Sequence, residues 1–83
     1  MTSKQVLDLR GVISPLNLLK CKSCLSSMTA DDVLEVLLTD TDVLDDLILI
    51  VKRSRDDVLY QKKKAGYICL GIQKGNDSTI GKT

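Results

Sequence analysis

Between Gln5 and Arg10 the chain alternates towards its end, with Leu7 and Leu9 on one side, and the run stops at Gly11. A period of two marks a half-buried strand, so 5–10 is predicted as the first strand. Val12-Ile13 then lead into Ser14-Pro15. Serine suits a helix N-cap and proline the first helical position, so a helix is predicted from Pro15 to about Met28. Leu18, Cys21, Leu25 and Met28 fall on one stripe of it. Thr29 to Asp32 is a loop, and Val33 to Thr39 a second strand whose near-continuous apolar character predicts burial on both faces towards its end. Asp40-Thr41-Asp42 supplies turn and cap chemistry. The stretch 42–55 admits two readings. Leu47 to Val51 has strand-like composition, yet Val43, Leu44, Leu47, Ile50, Val51 and Ser54 share a helical face, and acids precede bases in helix-dipole order. Val58 to Lys63 and Tyr67 to Lys74 read as a hairpin about Lys64-Ala65-Gly66. Ile68, Leu70 and Ile72 point to one side of it, and Tyr67, Cys69 and Gly71 to the other.

With 42–55 as helix the order is β-α-β-α-β-β, an α+β fold with two helices on one face of a four-stranded sheet. The expected core is Leu18, Cys21, Leu25, Met28, Leu44, Leu47 and Val51 over Leu7, Leu9, Val36, Leu70 and Ile72. One domain is expected over 1–74, with 75–83 a polar, glycine-containing disordered tail.

Composition narrows the chemistry. The chain has 83 residues and carries 14 Leu, 7 Val and 6 Ile against two tyrosines and no Phe or Trp, so its thin core must be aliphatic. No apolar run approaches the ~20 residues of a membrane span, and no signal-like stretch opens the chain, so a cytoplasmic protein is expected. Absence of histidine excludes imidazole catalysis and His-ligated metal. A net charge of +1 and two tyrosines speak against a nucleic-acid binder. Three cysteines cannot all pair, which argues against a disulfide scaffold. Charge is segregated: Asp31 to Asp46 is wholly acidic, whereas Lys52, Arg53, Arg55 and Lys62 to Lys64 outweigh Asp56 and Asp57. Solvated loops and favourable helix-dipole placement account for this; a charged docking surface is the alternative.

Leu7-Asp8-Leu9-Arg10-Gly11, then Ser14-Pro15 and an amphipathic helix, with the spacing to Asp40, Asp46-Leu47 and Ile72-Gln73-Lys74, resembles the TusA/SirA family of small sulfur carriers over residues 5–74. The resemblance implies a two-layer α/β sandwich with a mixed sheet, like the C-terminal domain of a translation initiation factor, and makes 42–55 a helix. It marks Asp8, Arg10, Gly11, Ser14, Pro15 and Asn17 as the motif. Family members have Cys-Pro-x-Pro where this chain has Ser14-Pro15-Leu16-Asn17. A thiol just before a helix faces free amides and the positive dipole end, which favour the thiolate. Such a thiolate accepts sulfur as a persulfide and passes it on, in the family towards transfer-RNA thiolation and related pathways.

Ser14 offers an alcohol instead, which forms no stable persulfide, and no histidine or evident base activates it as a nucleophile. The reading is therefore a family member without a catalytic residue, a binding or regulatory protein with no cofactor. A thiol engineered at position 14 is expected to be reactive. The alternative is an active carrier using Cys69 or the Cys21/Cys24 pair. Cys21 lies seven residues past Ser14, about 10 Å along the helix, where dipole assistance has faded. Cys69 is expected to be half-exposed and is the leading free-thiol candidate. A zinc site needs four ligands and only three thiols exist, so no metal is assigned. Leu16 and Leu19, opposite the core stripe, are expected to form with Arg10 a surface for a protein partner, such as a cysteine desulfurase or another sulfur-relay protein. A nucleic-acid module using Lys62, Lys63, Lys64, Arg53 and Arg55 is the third reading.

Overall fold

The computed structural model describes residues 3–75. Strand β1 (Lys4–Asp8) leads to helix α1 (Leu16–Ser27), strand β2 (Val33–Leu38), helix α2 (Thr41–Arg53) and the hairpin β3 (Asp57–Lys64) and β4 (Tyr67–Gln73). The sheet order is β1-β2-β4-β3; β1 runs parallel to β2, and the other pairs are antiparallel. This is the expected mixed four-stranded α+β architecture.

The ambiguous segment is a helix. Asp40 caps it, its Oδ1 accepting from the Asp42 N–H at 2.9 Å, and Lys52 and Arg53 lie in its last turn. Val43, Leu47 and Val51 are buried at helical spacing, and such a stripe needs an apolar layer to face. Leu34, Val36, Leu38, Leu70 and Ile72 supply it from β2 and β4. Cys21, Leu25 and Met28 of the α1 region complete the core, whereas Leu7, Leu18 and Leu44 pack at its margin, half-buried.

Three expectations are corrected here. The first strand stops at Asp8, because the chain leaves the sheet for a turn, with the Val12 N–H donating to the Leu9 carbonyl and Gly11 at φ +81°. That left-handed conformation suits glycine, which has no Cβ to clash. Cys69 is only 4% exposed. Its strand is central, so β2 and β3 flank it on both sides, and Tyr60 and Lys62 sit opposite its open face. Gly75 is held rather than loose, its N–H donating to Asp56 Oδ1 at 2.7 Å. The remainder of the expected tail, residues 76–83, lies outside the described residues.

The acidic stretch is also less solvated than its sequence implies. Asp32 is buried and closes the loop before β2. Its carboxylate accepts from the Ser3 N–H at 3.1 Å, the Thr29 N–H at 3.1 Å and the Thr29 hydroxyl at 2.8 Å. These bonds hold its carboxyl below the usual range.

Candidate functional site

Parallel pairing of β1 and β2 puts the N-terminal ends of both helices at one end of the sheet. Antiparallel β4 brings the hairpin turn at 65–66 to the same end. The motif segment Asp8 to Asn17 therefore sits where ligand sites of open α/β sheets gather, beyond the strands' carboxyl ends.

Asp8 and Arg10 are locked together. Arg10 donates through Nε to Asp8 Oδ1 at 2.9 Å and through Nη2 to Oδ2 at 2.8 Å, and its backbone N–H also reaches Oδ1 at 3.0 Å. This fork pulls the Asp8 carboxyl down to about 2 and holds Arg10 over the Tyr67 ring, 4.9 Å from its centre. Two partners for one guanidinium orient it far better than charge alone.

Ser14 is exposed, and its peptide bond to Pro15 is cis. It does not cap α1, contrary to expectation. Pro15 holds the N-cap position, and its backbone carbonyl accepts from the N–H groups of Leu18 and Leu19, both at 3.1 Å. The side-chain contribution comes from Asn17, which is 3% exposed. Its Oδ1 accepts from the Leu18 N–H at 2.7 Å, and its Nδ2 donates to the Val12 carbonyl at 3.2 Å. The Asn17 N–H in turn donates to the Ile13 carbonyl at 3.2 Å. The first-turn amides are thus largely engaged from within the chain. No sequence signal singled out Asn17 as the anchor; an asparagine two positions after a proline is compatible with a solvated first turn.

Leu16 is 47% and Leu19 60% exposed, and Ile13, which sequence reasoning passed over, is 76% exposed. Three aliphatic side chains in water flank the motif, where an incidental surface leucine needs no explanation but a group of three points to contact.

The thiols are separate from this cluster. Cys21 is fully buried, and desolvation pushes its thiol up to about 12. Burial and the neighbouring Glu35 carboxylate raise that of Cys69. Glu35 itself accepts from the Tyr60 hydroxyl at 2.7 Å and pairs with Lys4 at 3.6 Å. Cys24 is half-buried on α1, with its sulfur 3.7 Å from Gln5 Oε1. All three thiols are unbridged. Among the described residues no group of His, Cys, Asp and Glu is placed to hold a metal, and no helix is long and apolar enough to cross a membrane.

Residues 5–74 match the family model of sulfurtransferase TusA. The chain is 31% identical over 75 residues to YrkI of Bacillus subtilis (strain 168), whose name describes a sulfur carrier protein; the match covers 90% of this chain and all of YrkI. The fold is that of a SirA-like protein from Desulfitobacterium hafniense, with a TM-score of 0.76 at 22% identity over 87% of this chain and 99% of that one. A family match spanning nearly all of the β-α-β-α-β-β unit, around the Asp8–Arg10 fork and the Ser14-Pro15 helix start, makes this chain a member of the TusA family of sulfur carriers.

Proposed function

We propose that this chain is a binding or regulatory member of the TusA family that engages sulfur-relay proteins in the cytoplasm without itself carrying sulfur at the motif. One observation carries the reading: the motif's frame is retained, in Asp8, Arg10, Gly11 and Pro15, while the position that would bear sulfur holds the exposed alcohol of Ser14. Burial of Cys21 and Cys69, with both thiols shifted away from the thiolate, supports it further, because the thiolate is the nucleophile. Leu16 and Leu19 anchor the partner, and Arg10 orients a carboxylate on it through the guanidinium edge that Asp8 leaves free. The partner is a cysteine desulfurase or another carrier, for which a thiol-less relative competes.

Mass spectrometry of the intact chain after incubation with a persulfide donor tests the first half. The expected spectrum shows no gain of a sulfur atom. Sulfur retained on Cys24, the half-buried thiol, or on Cys21 or Cys69 replaces this reading with that of an active carrier. The second half is read by titration against desulfurases and relay proteins. Leu16→Ser/Leu19→Ser should bind at least tenfold more weakly than the parent, the loss of two apolar anchors. Equal binding by both removes the leucines as the docking surface.

A further inference from the structure

We propose that the groove between the first turn of α2 and the β3–β4 hairpin binds an acidic, aliphatic-containing peptide segment of a partner protein. The inference does not rest on the reading of Ser14. Two adjoining hollows of about 230 and 270 Å³ form the groove and share Thr41, Lys63 and Ile68. Leu44 and Ile68 give the first an aliphatic lining beside Gln61, Lys62 and Lys63. The second continues past Thr39 to Lys64 and Tyr67. Among the described residues no carboxylate lines either hollow. Asp40 stands close by in sequence, but its carboxylate is turned back onto the Asp42 N–H.

The cations of the neighbouring sheet face are already partnered. Lys4 pairs with Glu35, Arg10 with Asp8 and Tyr67, and Lys62 lies 4.9 Å from the centre of the Tyr60 ring. Lys63 and Lys64 differ: among the described residues neither has a carboxylate within ion-pair distance. Strand alternation sends them to opposite sides, since Lys63 pairs with Ile68 and Lys64 with Tyr67. The end of the hairpin thus presents uncompensated positive charge on both faces of the sheet, with Lys63 on the face of Ile68 and both lysines lining the second hollow. That complements carboxylates spaced around an aliphatic side chain, and fixed positive charge raises the encounter rate for such a segment. A nucleic acid fits less well. The Tyr67 ring already carries Arg10 and the Tyr60 ring carries Lys62, so neither is a bare platform for a base.

The test is fluorescence anisotropy of the full chain with a labelled peptide of alternating glutamate and leucine. The parent should bind, more weakly as salt rises, and backbone amide shifts should centre on Thr39, Leu44, Gly66 and Ile68. Lys63→Glu/Lys64→Glu should bind about tenfold more weakly, with Lys63→Gln/Lys64→Gln between it and the parent. Both residues are exposed, and circular dichroism reports whether each variant keeps its fold. Leu16→Ser/Leu19→Ser should bind the peptide as the parent does, which separates this groove from the aliphatic surface beside Ser14. Unchanged affinity in the folded charge-reversed variant, no parental binding at low salt, or tighter binding of a single-stranded oligonucleotide of equal charge overturns the proposal.

Discussion

Asn17 ties the loop after β1 to the first turn of α1 from both directions, donating to Val12 and accepting from Leu18. Ser14, a residue of equal capping propensity, makes no capping bond. Two substitutions separate these roles in urea denaturation. Ser14→Ala should shift stability by less than about 0.5 kcal/mol, as at an ordinary surface position. Asn17→Ala should cost about 1–3 kcal/mol, because it removes a buried side chain's bond to the Val12 carbonyl and leaves the Leu18 amide only its bond to Pro15. The same bonds bear on chemistry at position 14. Asn17, Leu18 and Leu19 have N–H groups already bonded to Ile13, Asn17 Oδ1 and Pro15. Ser14→Cys should therefore titrate close to the ordinary ~8.5 rather than as the activated thiol that the motif suggests. Adding Asn17→Ala should move that value little, because the Leu18 N–H keeps its bond to the Pro15 carbonyl. Ultraviolet thiolate absorbance reads both, and a strongly depressed pKa in the single variant shows the amides to be available after all.

At the scale of elements, the lines between legible and illegible follow burial geometry. The α1 stripe is readable because one element's period encodes one buried face, whereas β2, expected to be buried on both faces towards its end, alternates half-buried and buried positions along its whole length. The segment 42–55 was not decidable locally, since Leu47 to Val51 satisfies both periods; the surrounding Asp40 cap and the family resemblance resolve it as helix. Cys69 departs from its expected half-exposure for a tertiary reason. Alternation correctly separates it from Ile68 and Leu70, but a central strand is covered on its open face by side chains from both neighbours. Gly71 shows how close that cover lies, because a Cβ there would meet the Tyr60 ring. Gly71→Ala should therefore cost about 1–3 kcal/mol, as overpacking does. The displaced ring would lose its bond to Glu35 and its place under Lys62. In a Tyr60→Ala background the same substitution should be nearly neutral, since alanine is otherwise the better strand residue. A double-mutant cycle measures the difference, and equal costs in both backgrounds would mean that the ring yields freely.

For the whole molecule, the shifted groups define a pH window of stability. Asp8 is depressed to about 2 by Arg10, and Asp32 and Glu35 are depressed by Thr29 and Tyr60 respectively. A carboxyl whose folded pKa is lowered binds fewer protons folded than unfolded, so its contribution is complete above the unfolded value near ~4 and is lost as pH falls towards about 2. Cys21 and Tyr60, each pushed up to about 12, and Cys69, pushed in the same direction, act oppositely. Their neutral forms are favoured in the folded chain, so their contribution is complete below the unfolded values, ~8.5 for thiols and ~10 for tyrosine, and erodes as pH rises towards about 12. With no histidine in the chain, no imidazole titrates between these limbs. Urea midpoints should therefore form a plateau from about pH 5 to 8, falling on both sides. Asp32→Asn should make the acid limb shallower, leaving the part that Asp8 and Glu35 supply, and should not touch the alkaline one, because the buried carboxylate that closes the loop before β2 can then no longer titrate. Tyr60→Phe should make the alkaline limb shallower, leaving the part that Cys21 and Cys69 supply, and on the acid side remove only the part of the Glu35 contribution that the phenol hydroxyl supplies. A parent profile that keeps falling between pH 8 and 5 would show that groups other than these control the stability of the fold.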